Sequence, residues 1–161
     1  MKSIPALFIL FILSACGNNK ADQPATGKDS ATVMAADYFI WQSTLNDSTG
    51  KLELVPIEPL PSDSLQLNLV VDRINKTNAE TNFTSKVQLV FIKSSGDTVY
   101  LKIPDATYLT QQMGSTGPRL FLSGLVYTLT SLPGINYVNL DFEEGDHAGP
   151  GTYSRESFKG E

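Results

Sequence analysis

Between Gly117 and Phe142 the spacing of apolar positions changes from three-and-four to two. Leu122, Leu125, Val126, Leu129 and Leu132 form one stripe at helical spacing, which predicts a helix that another element must cover. Pro118 suits a first helical turn, where an amide hydrogen is dispensable, and Ser115 and Thr116 stand upstream as candidate caps. Pro133-Gly134 forbids continuation. From Tyr137 the pattern alternates, with Val138, Leu140 and Phe142 on one side and Asn139 and Asp141 on the other, as in a half-buried strand.

Upstream, Tyr38-Phe39-Ile40-Trp41 favours a strand, and the turn formers Asn46 to Gly50 separate it from a second, Lys51 to Ile57. Pro56, Pro59 and Pro61 confine that second strand to a sheet edge or end it early. Ser62 and Asp63 can cap a helix through Leu67, Val70, Val71 and Ile74, and Arg73 and Lys76 near its end suit the helix dipole. Leu65, Leu67, Leu69 and Val71 also alternate, so a strand stays open there. Val87, Leu89 and Phe91, then Ser94-Ser95-Gly96-Asp97, then Val99, Leu101 and Ile103 predict a hairpin. Pro104 to Thr116 reads as loop, and the Gly/Pro/Ser-rich end, residues 146–161, as an exposed mobile tail. The order ββαββαβ is an α+β class, two helices covering one face of a small mixed sheet.

With 161 residues, 41% hydrophobic and 18% charged, the chain suits one domain plus appendages. One appendage is at the start. Lys2 and the apolar run Ile4 to Leu13 have the layout of an export signal and are too short for a bilayer span, which needs about 20 residues. Removing residues 1–15 leaves 11 basic against 17 acidic side chains, a formal charge of −6. With no basic run, nucleic acid is not an expected partner.

Cys16 is the chain's one cysteine, so no internal disulfide can form. Leu13-Ser14-Ala15-Cys16-Gly17 resembles the lipobox of bacterial lipoproteins. The resemblance implies cleavage before Cys16, a diacylglycerol on its thiol and acylation of its amine, and two or more acyl chains anchor stably. A chance cysteine behind an ordinary signal peptide is the alternative. The bacterial reading makes the Asn-x-Ser/Thr triplets at Asn46, Asn75 and Asn82 chance matches to a glycan acceptor. Gly17 to Thr32 lacks large apolar side chains, and the stretch 16–36 is expected to be a flexible tether, its disordered part reaching roughly 20–25 Å.

The hairpin, the run Tyr127-Thr128-Leu129-Thr130-Ser131-Leu132-Pro133-Gly134-Ile135 and the strand Tyr137-Val138-Asn139-Leu140 resemble the GerMN domain of sporulation and spore germination proteins. The specific signature runs from Thr128 to Val138, and the domain is placed at 37–145. Two departures are Asn75-Lys76-Thr77-Asn78, where the family often has Leu-x-x-Gly-Pro, and an acidic segment after the last strand. The resemblance implies a binding or assembly module, common in envelope lipoproteins and similar in fold to ring-building modules. It brings no catalytic residues, metal or cofactor.

The residues themselves offer little catalytic chemistry. His147 is the single histidine, and it sits in the Gly/Pro-rich end. Ser123-Gly124 lacks a nucleophile-elbow context and reads as helix packing. Asp141, Glu143, Glu144, Asp146 and His147 could hold a cation, but they match no EF-hand spacing, and alternation points the carboxylates apart. Trp41 reads as core rather than a ligand platform, and Tyr100, Tyr108, Tyr127 and Tyr137 either line a groove for sugar or peptide or edge the core. The expected function is a lipid-anchored, non-catalytic envelope module contacting an envelope protein or cell-wall polymer, with self-association left open. The alternative is a small envelope hydrolase or cation binder using Asp141 to His147.

Overall fold

The computed structural model describes residues 37–81 and 84–159. The expected signal peptide, Cys16, the tether and Asn82 lie outside the described residues. The helix that the apolar stripe predicts is α2 (Gly117–Thr130), and ten of its 14 residues are buried. A helix enclosed to that degree must be covered on more than one side. One cover is a two-stranded antiparallel sheet of β1 (Tyr38–Leu45) and β2 (Leu52–Leu60). The other is a four-stranded sheet, in the order β3 (Val90–Ser95), β4 (Thr98–Lys102), β5 (Tyr137–Asp141) and β6 (Gly151–Tyr153). Both cores merge into one cluster that also takes Val70, Val71 and Ile74 of α1 (Leu67–Ala79). The class is α+β.

The contact between α2 and β1 depends on small residues. A Cβ at Gly124 would sit 2.8 Å from the Trp41 carbonyl oxygen, so only glycine lets helix and strand approach this far. One turn on, Thr128 Oγ1 accepts from the Trp41 backbone N–H at 2.9 Å, and Ser123 Oγ donates to Ser43 Oγ at 2.6 Å. A helix side chain thus satisfies one backbone donor on the edge of β1. Leu122, Val126 and Leu129 lie on the opposite side of the helix, at about 100° per residue, and go into the core over the four-stranded sheet.

The prolines act as the sequence predicts. In β2 they leave an edge strand with a bulge, because Ile40 pairs with Glu58 and Trp41 with Pro56, leaving Ile57 extra. The hairpin β3–β4 turns through Gly96 at φ +59°, a conformation that favours glycine. β4 and β5 are parallel and are joined through α2, as parallel neighbours require a crossover.

Four details differ from the sequence expectation. Ser62 and Asp63 form a short 3-10 turn, Ser62–Ser64, and do not cap α1, whose N-cap position is Gln66. Neither Ser115 nor Thr116 caps α2 through its side chain. Tyr108–Gln112, read as loop, is one π turn closed by the Met113 N–H donating to Tyr108 O at 3.0 Å. The end of the chain, expected to be a mobile tail, contains β6, paired antiparallel with β5, and a 3-10 helix, Arg155–Phe158. Its apolar side chains Tyr153 and Phe158 stack on each other at 6.1 Å and pack against the core, which is what holds it.

Candidate functional site

The alternation that sends Val99, Leu101, Val138 and Leu140 inward sends Tyr100, Lys102, Tyr137, Asn139 and Asp141 to the other face of the sheet. In the β4–β5 register Thr98 lies opposite Tyr137, Tyr100 opposite Asn139 and Lys102 opposite Asp141. Lys93 Nζ stands 4.8 Å from the centre of the Tyr100 ring, and Asn139 Nδ2 donates to Thr152 Oγ1 at 2.8 Å. Lys102 Nζ is 3.9 Å from Asp141 Oδ2, an exposed pair that contributes little. On β3, Val90 is 43% and Ile92 53% exposed, and Ile92 is the extra residue of a bulge. This face is open, partly apolar and partly polar.

Where β5 begins, a cleft of about 340 Å³ is lined by Thr130, Asn136, Tyr137, Ser154, Arg155 and Glu156. Its side chains are fixed from behind. The Arg155 guanidinium lies 4.1 Å from the centre of the Tyr127 ring, and its Nε–H donates to Thr130 Oγ1 at 2.8 Å. Tyr127 meets Trp41 edge-on at 5.2 Å, and Trp41 meets Phe39 the same way at 6.1 Å. Asn136 Nδ2 donates to Asp97 Oδ2 at 3.0 Å. Ser154 caps the 3-10 helix by accepting from the Glu156 N–H at 3.2 Å, while Ser157 Oγ accepts from the Ser154 N–H at 3.1 Å. The Glu156 carboxylate is paired with Lys159.

A second, smaller groove of about 50 Å³ lies between β1, α1 and α2, with Ile40, Ile74, Phe121 and Leu125 among its walls. It is well below the roughly 300–1,000 Å³ of ligand pockets. Thr81 and Thr84 line it, and residues 82 and 83, between them in the chain, lie outside the described residues. Trp41 Nε1 and Asn78 Nδ2 are buried beside it with no hydrogen-bond partner among the described residues.

The residues singled out in the sequence fall in different places. Asp141, Glu143, Glu144, Asp146 and His147 are all exposed, and among the described residues no three His, Cys, Asp or Glu side chains converge as a metal site. The segment is held by its backbone, with the His147 N–H donating to Thr110 O at 3.1 Å. His147 lines a further cleft of about 330 Å³ with Arg119, Tyr153 and Lys159, next to residues 160–161, which lie outside the described residues. Ser123 is a packing residue. The four tyrosines do not share one groove: Tyr137 lines the cleft, Tyr127 supports Arg155 from behind, Tyr100 is on the sheet face, and Tyr108 has Lys86 over its ring at 4.9 Å. Trp41 is half-buried within an aromatic row. Sequence reasoning missed Arg155 and its neighbours. Their one local signal is the Ser154/Ser157 pair bracketing a helical turn.

The model of a family described as sporulation and spore germination, Germane, matches residues 38–146. The chain belongs to this family. Its Germane match starts on β1 and ends before β6, so the Ser154–Glu156 wall of the cleft lies beyond it. Among solved structures, the chain is similar to the tandem GerMN domains of the sporulation protein GerM from Bacillus subtilis, with 18% identity and a TM-score of 0.49. That match covers 73% of this chain and 44% of the other, so the chain spans less than half of its length. No curated protein matches the chain.

Proposed function

We propose that this Germane-family chain is a lipid-anchored, non-catalytic binding or assembly module of the bacterial cell envelope. In this reading acylated Cys16 holds it to a membrane, residues 17–36 are the tether, and the outer face of the four-stranded sheet meets an envelope protein or cell-wall polymer. The observation that carries the reading is that open face, where Val90, Ile92 and Tyr137 are each more than 40% exposed above a closed core. Family membership supports a sporulation- or germination-associated module, and the Leu13-Ser14-Ala15-Cys16 sequence supports the anchor. Among the described residues no helix is long and apolar enough to cross a membrane.

The anchor is tested by feeding cells an alkyne-labelled palmitate and separating membranes. The full-length protein is expected to carry label and to pellet, and Cys16→Ala to lose both. An unlabelled wild-type protein in the soluble fraction would remove the lipid anchor from the account.

A further inference from the structure

We propose that the cleft between the start of β5 and the C-terminal 3-10 helix binds a pyranose ring of an uncharged glycan. The assignment rests on the binding-module reading and gives it a partner chemistry. Five of the six lining side chains carry hydrogen-bonding groups of different kinds: an amide (Asn136), two hydroxyls (Thr130, Ser154), a guanidinium (Arg155) and a carboxylate (Glu156). The sixth, Tyr137, is an aromatic ring 43% exposed. None is aliphatic.

That composition separates the ligand classes. A peptide anchor is favoured by an apolar pocket that desolvates a large side chain, and this cleft has no such lining. A phosphate or nucleic-acid ligand is favoured by net positive charge. Here the lining holds one cation, Arg155, beside the carboxylate of Glu156, which also pairs with Lys159, so no cluster of cations faces the cleft, in a chain of formal charge −5. A sugar ring presents C–H groups on its faces and hydroxyls around its rim. It therefore calls for one stacking aromatic ring and several polar side chains that both donate and accept. Tyr137 supplies the first, and Asn136, Ser154, Arg155 and Glu156 the second, while Thr130 Oγ1, which donates to Val126 O at 2.7 Å and accepts from Arg155, serves to hold the guanidinium in place.

The site is also built before any ligand arrives, which lowers the ordering cost of binding. Arg155 is stacked on Tyr127 and uses its Nε–H on Thr130, leaving the two terminal amino groups of the fork without a protein partner among the described residues. Asn136 is held by Asp97, and the Ser154/Ser157 pair fixes the turn. A volume of about 340 Å³ is enough for one ring. Tyr137 belongs to both the cleft and the sheet face, so further rings can continue over Asn139, Thr152 and Tyr100.

The test is saturation-transfer NMR on the full chain in detergent micelles, with cellotetraose, chitotetraose and maltotetraose each added to about 10 mM. At least one sugar is expected to receive saturation on its ring protons, with a Kd on the order of 1 mM or tighter. Tyr137→Ala, at an exposed position, should weaken binding at least about tenfold, and so should Arg155→Gln. Asp72→Ala, exposed on α1 and away from both the cleft and the outer sheet face, should leave it unchanged, and thermal melts check that each variant is folded. No transfer to any of the three sugars, or transfer that survives both cleft substitutions, overturns the assignment. If no sugar binds while a photo-crosslinker at Tyr137 captures an envelope protein, the cleft is a protein contact, and the module reading stands without the glycan.

Discussion

Gly124 is the position where the smallest change should have the largest structural effect. A methyl group there meets the Trp41 carbonyl at 2.8 Å and the Ser43 amide nitrogen at 3.3 Å, both backbone atoms that cannot rotate away. Gly124→Ala is expected to destabilise the fold by about 1–3 kcal/mol through overpacking, despite alanine's better helix propensity, and a lower denaturation midpoint would report it. Unchanged stability would mean that β1 yields at no cost. Ser123-Gly124 was legible in the sequence as a packing site; its partners, 80 or more positions away, were not. Tyr153 makes a second prediction at this scale. Burial raises its phenol above the ordinary value near 10, and its hydroxyl donates to Gly149 O at 2.5 Å. A raised folded-state value means the stabilisation is complete below about pH 10 and is lost as pH rises through the folded value. The C-terminal segment should therefore loosen in alkali, with Tyr153 ionising above the ordinary phenol value in an ultraviolet titration. Tyr153→Phe should shift that loosening to higher pH.

At the scale of elements, what could be read from sequence were the pieces with a long apolar period: α2, β5 and the β3–β4 hairpin. Val87 and Leu89 show where the reading stops. Both alternate like strand residues and both are buried, yet β3 starts only at Val90. At Leu89 a side chain takes the place of a neighbouring strand, with Asn75 Nδ2 donating to Leu89 O at 2.8 Å and Asn75 Oδ1 accepting from the Leu89 N–H at 2.9 Å. Asn75→Ala leaves a donor and an acceptor of a buried residue unpaired, and a loss of about 2 kcal/mol is expected from chemical denaturation. A loss near zero would mean that water replaces the amide. Asn75 stood out in the sequence as a chance glycan triplet and as the start of a departure from the family pattern, not as a structural residue, because a polar side chain that pairs with a distant backbone leaves no periodic trace. β6 was hidden for a different reason. It is three residues long and follows Gly149-Pro150, so composition alone reads it as tail, and only pairing with β5 makes it a strand. The ambiguous stretch is helical from Leu67, with Val70, Val71 and Ile74 buried at helical spacing, and further along the same helix Arg73 and Thr77, one turn apart, both engage Glu58 of β2.

For the whole molecule, the sequence pointed to the family, whose model matches residues 38–146, but not to the cleft, whose walls come from Thr130, Asn136–Tyr137 and Ser154–Glu156. These are polar residues on three separate elements, and only the fold brings them together. The account therefore depends on where contact occurs. A photo-crosslinking residue placed in living cells at Ile92, on the exposed bulge of β3, probes the outer sheet. The same residue at Asp72, exposed on α1, probes the helical side of the domain, away from the outer sheet face. The account predicts discrete crosslinked species from Ile92, absent from Asp72 and lost when Cys16→Ala frees the protein from the membrane. Identical products from both positions, or none from Ile92, would contradict the claim that this chain works as an anchored module through its open sheet face.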